Sequence, residues 1–77
     1  MYRYLIIYPD RYEIHQSEMI YHQRQIVEIN GSNYISELYH LDDNGPYGVL
    51  IRQFDPVNHP RIREVIRQAD IPALPQN

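Results

Sequence analysis

The sequence predicts an α+β fold: an antiparallel β-meander of four or five strands with one C-terminal helix packed on a face. Three observations predict it. Two Asn-Gly pairs, Asn30-Gly31 and Asn44-Gly45, separate three runs rich in β-branched and aromatic residues over positions 26–54, the pattern of consecutive hairpins. The opening run, residues 2–8, alternates like a strand. Near the end, Ile62, Val65, Ile66 and Ala69 recur at helical spacing behind Pro60, an apolar stripe that belongs against a sheet.

In the first strand Tyr2, Tyr4, Ile6 and Tyr8 share one face, and Arg3, Leu5 and Ile7 the other. Both faces are largely apolar, which suits a central strand. Pro9 cannot donate to a ladder and closes the run, Pro9-Asp10-Arg11 turns, and residues 12–15 return as a short second strand. Residues 17–29 admit two readings. As a helix, Ser17 caps it, Met19, Ile20, Ile26 and Val27 share an arc, and Asn30-Gly31 stops it, giving a β-α-β-β-α order. As a strand, a two-residue type I′ loop at Asn30-Gly31 sets Val27 opposite Tyr34, Ile26 opposite Ile35, Arg24 opposite Glu37 and Ile20 opposite Leu41. Those apolar and opposite-charge pairs favour the strand.

The second Asn-Gly turn differs from the first. Pro46 has no N–H to close a two-residue loop. A longer loop follows, a type I turn through Asp42-Asp43-Asn44 with Gly45 at positive φ. Residues 47–54 then form a strand whose Val49, Leu50, Ile51 and Phe54 are apolar on both faces, so it too belongs inside the sheet. A helix over 60–69 starts behind an Asn58 or His59 cap, with Arg61, Arg63, Glu64 and Arg67 on its wet side. Ile71-Pro72 ends it, since a residue before proline disfavours the helical region. This leaves residues 1–71 as a single small domain and 72–77 as a frayed tail.

The chain has 77 residues, a net charge of −3 and no cysteine. A domain of this size has a marginal core. With no disulfide or Cys-bound zinc to staple it, association with a partner or with itself is the expected source of further stability. No basic-then-apolar leader and no bilayer-length apolar run is present, so neither a signal peptide nor a membrane span is expected and the location is read as cytoplasmic. All seven basic side chains are Arg, and eight residues are Tyr. Arg and Tyr are enriched in interface cores where Lys is depleted; a compositional bias of the source lineage is the competing explanation.

Two residue sets follow as binding candidates. Tyr2, Tyr4 and Tyr8 form a row that stacks bases or meets a protein if it faces outward, and is plain core if it faces in. Arg61, Arg63 and Arg67 lie along the helix, with Arg63 and Arg67 one turn apart, as an anion grip or as an ordinary solvated face beside Glu64 and Asp70. His15, Glu18 and His22 would share a helix face as metal ligands only if residue 15 were helical, and no fourth ligand is indicated. The Asp42-Asp43-Asn44-Gly45 loop lacks the alternating ligands and distal Glu of a calcium loop. With no Cys, no Lys and no Ser in a strained nucleophile turn, no catalytic residue is assigned. The sequence therefore reads as a non-enzymatic interaction module, a small accessory, regulatory or inhibitor protein without cofactor or metal. Its Tyr/Arg surface would meet a protein partner or a second copy in a homodimer. The alternative is nucleic-acid binding through the Arg-bearing helix or the Tyr row.

Overall fold

A computed structural model describes residues 1–75. They form a curled five-stranded sheet and one helix, in the order β1 (Tyr2–Ile7), β2 (Tyr12–Ser17), β3 (Ile26–Ile29), β4 (Ser32–His40), β5 (Pro46–Arg52) and α1 (His59–Ala69). Across the sheet the strands run β2-β1-β5-β4-β3. The α+β class and the C-terminal helix are as expected, but the antiparallel meander is not. β1 pairs parallel with β5, Tyr4 beside Gly48 and Ile7 beside Ile51, and the other three pairings are antiparallel. The physical reason lies in the two strands themselves. A meander would strand β1 and β5 at the sheet edges, yet both are apolar on both faces. Placing them side by side in the middle buries both faces of each.

The Asn30-Gly31 hairpin forms as a two-residue loop. Both residues have positive φ, 52° and 83°, as type I′ requires, and the register pairs Val27 with Tyr34 and Ile26 with Ile35. Residues 17–29 are thus not a helix, and His15 lies on β2, so the helical face that His15, Glu18 and His22 would share does not exist. The ladder stops short of the expected Ile20–Leu41 pair. At Arg24 φ is 66°, and residues 18–25 leave the strand direction. β2 and β3 occupy opposite edges, so their connection must cross a face of the sheet. It crosses as a strap, and Tyr21 is its anchor. The Tyr21 N–H donates to the Tyr4 hydroxyl at 2.9 Å, the Ser17 hydroxyl donates to the Tyr21 hydroxyl at 3.0 Å, and the Tyr4 and Tyr21 rings lie 5.0 Å apart.

The two faces carry two cores. On one, Leu5, Ile7, Tyr39, Tyr47, Val49 and Ile51 meet Ile62, Val65 and Ile66 of α1. On the other, Tyr4, Ile6, Val27, Tyr34 and Leu50 lie beneath the strap and Leu74. The helix starts as its sequence requires, with the Asn58 side chain accepting from the Arg61 N–H at 3.1 Å and Pro60 in the first turn. It ends at Ala69, with Asp70 at φ 53°. The segment expected to fray is docked as far as it is described: Leu74 is buried, and its N–H donates to the Pro46 carbonyl at 2.7 Å. Residues 76 and 77 lie outside the described residues. No helix among the described residues is long and apolar enough to cross a membrane.

Candidate functional site

α1 covers β1 and β5 but not the β3–β4 end of its face. Exposure therefore rises outward along one cross-sheet row: Ile51 is buried, its partner Ile35 half-buried, and Ile26 beyond it 58% exposed. Beside this row the chain leaves β5 in a tight turn, with the Asp55 N–H donating to the Arg52 carbonyl at 3.0 Å. Phe54 occupies the third position of that turn at φ 75°. Such a position ordinarily takes Gly or Asn. Phe54 is also 93% exposed, so no packing offsets its backbone strain. Phe54 is thus both strained and exposed, which marks it as a candidate contact residue.

Phe54 and the half-exposed Val57 line a small dimple of about 40 Å³ together with Ile35, Ile51, Arg24, Glu37, Arg52 and Asp55. The rim charges are matched in sign. Arg24 approaches Glu37 at 3.2 Å and Arg52 approaches Asp55 at 3.4 Å. The Asp55 oxygen nearest Arg52 is buried and not aligned for a hydrogen bond. The two carboxylates are largely covered and the two guanidiniums exposed, and the pairs keep the rim neutral. Around Val57 the surface continues into a groove of about 510 Å³ between Pro9, Pro56, Pro60 and Arg61.

The residues singled out in the sequence fall elsewhere. Tyr4 is fully buried, and Tyr2 and Tyr8 are half-buried on the strap-covered face. Tyr8 shares a hydrogen bond with the Tyr34 hydroxyl at 3.3 Å and lies 4.2 Å beneath the Arg11 guanidinium. Its phenol is pushed up to about 12, first by the bond to Tyr34 and then by burial. Arg61 donates to the Arg11 carbonyl at 3.4 Å, Arg63 lies 5.8 Å from the Tyr39 ring, and Arg67 lies 4.0 Å from Glu64. The Tyr row and the Arg-bearing helix thus sit on opposite faces, and Arg11 touches both, through Tyr8 and Arg61. Phe54, Ile26, Ile35 and Val57 were missed as a site. The available signal was a lone Phe directly before Asp55-Pro56, a turn position rather than a strand position.

One further pair bears on catalysis. The Tyr39 hydroxyl lies 2.7 Å from His59 Nδ1 at the start of α1. Burial pushes the Tyr39 phenol up, the Glu37 charge adds to this, and Arg63 opposes it. A phenol held protonated is the opposite of an activated nucleophile or base. No cluster of three or more potential metal-ligating side chains occurs among the described residues. Comparison with protein-family models, curated proteins and solved structures finds no match.

Proposed function

We propose that this chain is a non-enzymatic interaction module, a small accessory, regulatory or inhibitor protein that binds another protein surface. The observation that carries the reading is Phe54, exposed to 93% at positive φ beside Ile35 and Val57, with Ile26 paired to Ile35. Contact sites are marked by a clustered apolar centre with a polar rim, and this face has both. Tyr2, Tyr8 and the helix arginines Arg61, Arg63 and Arg67 then flank other sides of the molecule. Nucleic-acid binding has less support, because Glu64 and Asp70 interrupt the positive field of the helix face.

The test is affinity capture from the native source with the full chain and with Phe54→Ser. Retention of a specific protein, this chain itself included, by the wild type and its loss in the variant supports the reading. If the wild type retains nothing and does not self-associate at millimolar concentration, the reading fails. Retention of nucleic acid that weakens steeply with salt would replace it by the alternative.

A further inference from the structure

We propose that the strap is a lid: it opens as one unit between the end of β2 at Ser17 and the start of β3 at Ile26, uncovers the Tyr4 side of the sheet, and recloses. Two features of the closed strap favour opening. Ser36 is fully buried, and its hydroxyl meets no hydrogen-bonding group among the described residues. By strand alternation it shares the strap-covered face with Tyr34 and Leu38, and it pairs with Leu50 of that core. A buried polar group without a partner bears the full cost of desolvation, which exposure to water removes. The second feature is Arg24, where the chain turns onto this face at φ 66°. A residue with a Cβ adopts that left-handed backbone at a cost. Opening relieves both.

The contacts that hold the strap shut are mainly polar. The Tyr21 N–H donates to the Tyr4 hydroxyl at 2.9 Å, and the Leu38 N–H donates to Gln23 Oε1 at 2.7 Å. The Arg24 N–H donates to the Ser36 carbonyl at 2.7 Å, and its guanidinium approaches Glu37. Of residues 18–25 only Tyr21 and Gln25 are even half-buried. A segment with few buried apolar contacts and no ladder of its own sits at the low-stability end of a fold and opens ahead of the core. β1 and β5 beneath it stay formed, since their other faces remain packed against α1. The strap leaves the β4 edge beside Ser36 and reaches β1 at Tyr4. Opening therefore exposes Ser36 and Tyr4 together, and joins Tyr4 to the half-buried Tyr2 and Tyr8 in one accessible row.

The experiment is hydrogen exchange of the full chain at neutral pH, followed residue by residue by NMR, on the wild type, Tyr4→Phe and Ser36→Ala. The Tyr21, Arg24 and Leu38 amides report the strap, and the amides of β1 and β5 report the core. In the wild type the three strap amides are expected to share one opening equilibrium, populated at least about tenfold more than the opening of the core. Tyr4→Phe keeps the ring and removes only the acceptor of the Tyr21 N–H. It should speed all three strap amides about fivefold, the weight of one hydrogen bond. Ser36→Ala removes the orphan hydroxyl and should slow all three about fivefold or more. Strap amides that exchange only together with the core overturn the proposal, as do three amides that respond independently of one another. Ser36→Ala slowing the core amides while leaving the strap amides unchanged also overturns it. Should Tyr4→Phe fail to fold, the wild type and Ser36→Ala decide by themselves.

Discussion

At the scale of single residues, three tyrosines, one glycine and one phenylalanine make the fold testable. Tyr8 is raised to about 12 by its bond to Tyr34 and by burial, and Tyr4 and Tyr39 are raised chiefly by burial. A phenol whose folded value exceeds its unfolded value of 10.0 contributes stability that is fully present below that value and is lost as pH rises through the folded one. Unfolding free energy is therefore expected to fall as pH climbs from about 10 to about 12. Following phenolate absorbance, Tyr34→Phe should bring the Tyr8 titration back towards the ordinary range; an unshifted curve would mean that the hydroxyl pair does not form. Gly48 is required for a different reason. A Cβ there would collide with the Tyr4 ring carbons Cδ2 and Cε2 and press on Leu74 Cδ1 at 3.0 Å. Gly48→Ala should cost about 1–3 kcal/mol by urea unfolding, as overpacked cores do. Phe54→Gly has the opposite sign: relief of the positive φ should stabilise the chain by up to about 1 kcal/mol in urea unfolding.

At the scale of elements, each piece forms for local reasons but is placed by its neighbours. The helix carries its own start signal, since the Asn58 side chain satisfies the Arg61 N–H. Asn58→Ala should lower stability by about 1 kcal/mol, measured by thermal unfolding, with Asn58→Asp retaining most of it. The strap has no comparable local signal. Residues 18–25 hold Met19, Ile20 and Tyr21 beside polar residues with neither strand nor helix periodicity sustained, and the contact that fixes them is Tyr21 on Tyr4, 17 residues away. The Asn30-Gly31 hairpin was legible because a two-residue loop and its register follow from φ alone. The reach of that ladder was not legible. Arg24 still meets Glu37 at 3.2 Å as the register demands, yet its positive φ turns the preceding chain away from Leu41.

At the scale of the whole molecule, burying β1 and β5 on both faces requires a cover on each side, and three separate segments supply it. α1, with Ile71 and Ala73, covers one face; the strap and Leu74 cover the other. Leu74 reaches the Tyr4–Leu50 core from beyond the helix. Leu74→Ala is expected to cost about 2–3 kcal/mol in a urea titration, towards the low end for a buried leucine. A loss under about 0.5 kcal/mol, the range of ordinary surface positions, would instead place the segment in solvent. The same geometry explains the unpartnered side. One helix of 11 residues spans about 16 Å, too short to roof five strands, so the β3–β4 end and Phe54 stay uncovered.

The sequence by itself determined the α+β class, the type I′ hairpin at Asn30-Gly31, the two-faced apolar character of β1 and β5, and the capped helix. Each of these follows from local dihedral preference or from the spacing of apolar residues along one element. Only the tertiary structure decided that β1 and β5 lie parallel at the centre, that residues 18–25 cross a face instead of extending β3, and that Tyr4 is core while Phe54 is surface. Strand order is set by which assembly buries the most apolar area over the whole chain, a sum that no single window contains. Phe54 shows the consequence most sharply: alternation places it in an interior strand, whereas β5 ends two residues earlier, at Arg52, and the turn that follows puts Phe54 into water.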